Sequence, residues 1–138
     1  MRPTLDSQHQ ASAPDLLSRL EKVQSFDDSQ RGERPGGFSP NYKIYQGLLH
    51  ARPPVSLSKY SHLVDTGTPA VRLYAAMLIH AQDREAGRVA FKKLSTDKSP
   101  VSFVSGCCAI EVTVKEVAQD FLDHGHYMHF KLPKPTIK

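Results

Sequence analysis

Ser99-Pro100-Val101-Ser102-Phe103-Val104-Ser105-Gly106-Cys107-Cys108-Ala109-Ile110-Glu111-Val112-Thr113 admits two readings, and the fold class turns on which one holds. Its opening Ser-Pro is the third pair in which a hydroxyl residue precedes proline at the head of an apolar stretch, after Ser39-Pro40 and Thr68-Pro69. The pairs stand 29 and 31 residues apart (39 to 68 to 99). A helix starts well this way, because the hydroxyl caps free backbone N–H groups and proline takes the first helical position, where its missing donor is not needed. On this reading Val101, Val104 and Cys108 carry a helical apolar rhythm to Ile110. Cys107 and Cys108 then lie inside a helix as small apolar residues. The other reading takes Ile110, Val112 and Val114, alternating with Glu111, Thr113 and Lys115, as a strand. The recurrence favours the helical one, with Thr113 and Glu116 as a capping box. That box opens a last helix carrying Val114, Val117, Ala118, Phe121 and Leu122 and ending near Gly125.

The neighbouring units read as helices more directly. The helix from Pro69 to about Gln82 places Ala70, Leu73, Tyr74, Met77, Leu78 and Ala81 on one face and Val71, Ala75 and Ile79 on another. Apolar around most of its circumference, it belongs at the centre of the core. Before it run a helix from Pro40 to His50, ended by Pro53-Pro54, and a shorter one from about Leu57 to Asp65, where Gly67 suits a left-handed ending. After it, Asp83 caps a helix from Arg84 to Leu94 with Ala86, Val89, Ala90 and Leu94 inward. A short helix through Leu16, Leu17, Leu20 and Val23 comes first, capped by Asp15. Residues 1–13 read as disordered, 27–38 as a loop, 14–125 as one helical domain, and 126–138 as an irregular tail in which Met128, Phe130 and Leu132 alternate.

Superposing the units aligns Ile44 with Leu73 and Val104, and Leu48 with Met77 and Cys108; Gly47, Ala76 and Cys107 coincide as small residues suited to close helix approach. The stretch Leu63-Val64-Asp65-Thr66-Gly67-Thr68-Pro69-Ala70-Val71-Arg72-Leu73-Tyr74-Ala75-Ala76-Met77-Leu78 resembles a HEAT repeat: a leucine-ended first helix, an aspartate in the turn, then Val-Arg and a second helix rich in small residues. The third unit departs from it, with Val101-Ser102 in place of Val-Arg, and the period is short beside the usual ~40–47 residues. The resemblance implies an all-α fold, a short right-handed solenoid of about six helices stacked as hairpins, with Arg72 paired to Asp65.

At 138 residues, +4 net charge and pI near 9.1, the chain is one basic domain. Its only cysteines are the adjacent Cys107 and Cys108, which cannot adopt ordinary disulfide geometry on a helix, so a reducing compartment is expected. Met1 to Asp15 is polar, without the apolar core of a leader, and the run Leu73–Ile79 is too short to span a bilayer. A cytoplasmic protein is expected.

Functional residues concentrate on one helix. Arg84, Arg88 and Lys92 recur every four residues, about 6 Å apart along the axis, and Lys93 joins them. This pattern suits an acidic protein surface or a phosphate backbone. Asp123-His124-Gly125-His126-Tyr127-Met128-His129 holds metal-ligating residue types at a spacing that matches no closed zinc motif. No phosphate-cradling glycine loop, Gly-x-Ser-x-Gly or His-Glu-x-x-His is present. The expectation is a non-catalytic protein-interaction module without cofactor, such as a small inhibitor of the immunity-protein type that blocks another protein. The alternative is a HEAT-like nucleic-acid binder that uses the basic helix.

Overall fold

Helices carry more than half of the described residues, and a three-stranded sheet packs one face against them in the computed structural model, which describes residues 12–28, 39–105, 108–128 and 130–134. The order is α1 (Ala13–Leu20), β1 (Ser25–Asp27), α2 (Pro40–Leu49), α3 (Leu57–Thr66), α4 (Pro69–Gln82), α5 (Arg84–Leu94), β2 (Pro100–Ser105), β3 (Cys108–Thr113), α6 (Val114–His124), β4 (His126–Tyr127) and β5 (Phe130–Lys131). The fold is therefore mixed α/β, and the all-α solenoid of stacked hairpins is overturned.

Two of the three hydroxyl-proline pairs open helices. Ser39 Oγ accepts from the Tyr42 N–H at 2.9 Å, and Thr68 Oγ1 accepts from Val71 at 3.2 Å. Ser99-Pro100 instead opens a strand. Val101 and Phe103 are buried while Ser102 is exposed, a period of two that only a strand accommodates. Val101, Val104, Ile110, Val112 and Thr113 are all β-branched, which favours a pleated surface. The two readings of the decisive stretch also prove compatible at its end. Thr113 closes β3 and caps α6: its hydroxyl accepts from the Glu116 N–H at 3.1 Å, and Glu116 Oε1 accepts from the Thr113 N–H at 2.9 Å.

The three-stranded sheet has the order β1-β2-β3, with β1 parallel to β2 and β2 antiparallel to β3. In register, Phe26 lies beside Phe103 and Phe103 beside Ile110. One face, carrying Phe26, Val101, Phe103 and Val112, packs on the helices; Ser102 and Glu111 face solvent. Phe26 is the hub. Its ring lies 4.8 Å from Tyr74, 5.1 Å from Phe130 and 6.1 Å from Phe103. The Tyr74 hydroxyl accepts from the Asp27 N–H at 2.7 Å and donates to the Asp27 carbonyl at 2.6 Å, which fastens β1 to α4. Helix α4 is buried at every position from Ala70 to Ala81 except Arg72, as its all-round apolarity requires.

Further departures from the sequence reading are local. In place of an irregular tail, His126–Tyr127 (β4) pairs antiparallel with Phe130–Lys131 (β5), burying Tyr127 and Phe130, and Phe130 joins the aromatic cluster. Gly125 supplies the left-handed turn after α6, with φ of 79°. Gly67 ends α3 in extended backbone instead, with φ −75° and ψ 174°. The expected loop beyond Asp28 and the expected disorder before Ser12 lie outside the described residues. Among the described residues, no helix is long and apolar enough to cross a membrane.

Candidate interaction surface

Helix α5 is amphipathic because its sequence puts Gly87, Ala90, Phe91 and Leu94 at three-four spacing, and these four are buried. Asp83 caps it, accepting from the Ala86 N–H at 3.1 Å. Gly87 sets the crossing with α4. A Cβ there would stand 2.5 Å from His80 Cα and 2.5 Å from His80 Cβ, so only glycine lets the two helices approach this closely.

The opposite side of α5 carries Arg84, Glu85, Arg88, Val89, Lys92 and Lys93, all exposed. Val89 corrects the expectation that it packs inward: it is 59% exposed, among the most exposed large apolar side chains of the described residues. It lies about 60° from Lys92 around the helix and on the side opposite Gly87 and Phe91. The signal for this was in the sequence. Gly87, Ala90, Phe91 and Leu94 define the buried arc, and Val89 falls outside it.

The cations differ in their partners. Lys93 Nζ donates to Asp65 Oδ1 at 2.8 Å, an ion pair exposed on both sides. Arg84, Arg88 and Lys92 pair with no carboxylate among the described residues. Arg84 and Arg88 lie near enough to His80 to disfavour its protonation. Burial lowers that imidazole's pKa most, and the two guanidiniums add to it against the raising effect of the Pro133 carbonyl. A carbonyl only accepts, so His80 Nδ1–H donates to Pro133 at 3.0 Å and ties the C-terminal segment to α4.

Arg72 does not meet Asp65. Its guanidinium donates to Asp97 Oδ2, to the Ser99 hydroxyl at 3.3 Å and to the Gly67 carbonyl at 2.9 Å. Ser99 thus helps to brace the turn before β2 and caps no helix. Burial alone would raise the Asp97 carboxyl; the Ser99 hydroxyl and N–H, with Arg72, outweigh it and hold the pKa below its ordinary value.

The remaining chemical candidates are dispersed. Cys108 stands exposed at the start of β3, not inside a helix, and Cys107 lies outside the described residues. His124 and His126 have ring centroids 5.9 Å apart, but His126 Nδ1–H donates to the Met128 carbonyl at 3.1 Å. His129 lies outside the described residues. Among the described residues, no three His, Cys, Asp or Glu side chains are grouped to hold a metal. Burial pushes the Tyr45 and Tyr74 phenols above their ordinary value, so both stay protonated at neutral pH. One cleft of about 280 Å³ opens between the ends of α2 and α4, walled by Leu48, Leu49, Leu78 and Ala81 with Arg52 and Gln82. No protein-family model, curated protein or solved structure matches the chain.

Proposed function

We propose that the chain is a non-catalytic interaction module that docks the outer face of α5 on an acidic surface of another protein, in the manner of a small inhibitor. The observation that carries this is the trio Arg84, Arg88 and Lys92, exposed and without carboxylate partners among the described residues, beside the exposed Val89. Unpaired cations steer an oppositely charged partner at long range, and a central apolar side chain is what a desolvated interface buries. Lys93 contributes less, because Asp65 already neutralises it. The rigid crossing at Gly87 holds the face in one orientation, which limits the ordering cost of docking.

The test is charge reversal on a partner captured from the native source. Arg84→Glu, Arg88→Glu and Lys92→Glu combined should weaken that complex at least tenfold, with the melting temperature little changed because all three side chains are exposed. Equal affinity of the wild-type and reversed chains would reject the face. Retention on duplex DNA, falling steeply between about 50 and 200 mM salt, would favour the nucleic-acid reading of the same cations.

A further inference from the structure

Among the described residues, the outer edge of β3 is open in a specific way. β3 is a terminal strand of the sheet, and among the described residues no strand pairs with its far side. In an antiparallel pair, successive residues point their N–H and C=O alternately toward and away from the neighbour. Three hydrogen bonds fix that phase here. The Val114 N–H donates to the Ser99 carbonyl at 3.0 Å, and the Asp28 N–H donates to the Val104 carbonyl, also at 3.0 Å. The Thr113 N–H turns outward to Glu116. Phe103 and Ile110 therefore bond each other, whereas Ala109, opposite Val104, and Glu111, opposite Ser102, direct their N–H and C=O to the open edge.

Side chains mark the same place. Ile110 lies on the face of Phe103, which is 1% exposed, yet Ile110 itself is 48% exposed. The cover that buries β2 stops short of it. Cys108, Ala109 and Glu111 are exposed as well.

We propose that β3 of two copies of this chain pair antiparallel about a two-fold axis at Ile110, joining two three-stranded sheets into one of six. In that register Ala109 faces Glu111 of the second copy and Glu111 faces its Ala109. All four edge groups of each strand are then used, and two Ile110 side chains cover one another. The edge is self-complementary: two donors and two acceptors on residues i and i+2, with its one charge opposite alanine. A register setting Glu111 against Glu111 would oppose like charges. Two six-residue edges bury less than the roughly 1,200 Å² of a standard stable interface, so the dimer is weak and concentration-dependent.

Sedimentation equilibrium of the full chain under reducing conditions, from about 10 μM to about 1 mM, should show reversible dimerisation. Ala109→Pro removes an N–H that points away from β2, a position where an edge strand tolerates proline, and should weaken dimerisation at least tenfold while the fold persists. Cysteine at position 110 reports the register. In a Cys107→Ser, Cys108→Ser background, Ile110→Cys should cross-link with a mild oxidant, since non-hydrogen-bonded partners stand about 4.5 Å apart at Cα, within disulfide range. Native Cys108 should not, being offset by four residues, about 13 Å, from its twin. A monomer throughout the range, an Ala109→Pro variant that dimerises like the wild type, or cross-linking through Cys108 in place of position 110 would overturn the proposal. So would pairing of this edge with a different extended chain by a protein that never self-associates.

Discussion

Replacing Gly87 with alanine sets two effects of opposite sign against each other on α5. Alanine in a helix interior is favoured over glycine by about 1 kcal/mol. Against that, the new methyl would stand 2.5 Å from His80 Cα and 2.5 Å from His80 Cβ, which belong to the frame of α4 and cannot rotate aside. Reaching ordinary van der Waals separation moves the helices apart by about 1 Å and loosens Ala90, Phe91 and Leu94; overpacking of this kind costs about 1–3 kcal/mol or more. The net expectation is a loss of about 1–2 kcal/mol. Gly47→Ala in α2 is the matched control. Its methyl would meet Leu16 Cδ1 at 2.7 Å, the tip of a half-buried side chain that can turn away, so propensity prevails and stability rises by up to about 1 kcal/mol. Urea denaturation midpoints at unchanged slope measure both. Equal or greater stability of the Gly87→Ala variant, or a matching loss at Gly47, would refute the close-crossing argument.

The other predictions concern polar groups. Tyr60 is fully buried and its hydroxyl has no hydrogen-bond partner among the described residues, so Tyr60→Phe should stabilise by about 1–2 kcal/mol in the same assay. Double-mutant cycles should give a coupling of about 2 kcal/mol for the part-buried Arg72–Asp97 pair and under about 0.5 kcal/mol for the exposed Lys93–Asp65 pair. Equal couplings would contradict the bracing role of Arg72. His80 binds its proton less readily folded than unfolded, so its contribution to stability is complete above the unfolded value of about 6.5 and is lost as pH falls toward the lower folded value. Titration of unfolding free energy from pH 8 to 5 should show this decline in the wild type and a shallower one in a His80→Asn variant.

Much of the helical part was legible because it is written locally. The Ser39, Thr68 and Asp83 caps and the Thr113–Glu116 box are signals within four residues, the apolar circumference of α4 lies within one helix, and each corresponds to an observed hydrogen bond or burial pattern. The sheet was not legible in this way. β1 is three residues long, and Ser25-Phe26-Asp27 becomes a strand only because β2, some 75 residues on, lies beside it in parallel. Ser99-Pro100 misleads because a hydroxyl-proline pair also suits a strand start, where proline's missing N–H need not weaken the ladder. The Arg72 partner failed for the same reason: Asp65 is near in sequence, whereas Asp97 is brought close by the turn into β2. The basic residues of the candidate surface were readable from their spacing, and so was the exposure of Val89 once Gly87 and Phe91 are counted in the buried arc.

The most direct measurement of the central claim is amide chemical-shift mapping of the labelled chain against its captured protein partner. Shifts or broadening should concentrate on residues 84–93, with Arg88, Val89 and Lys92 foremost, and should vanish for the charge-reversed variant. Perturbation confined to the β3 edge or to the cleft beside Arg52, with α5 unmoved, would contradict the account.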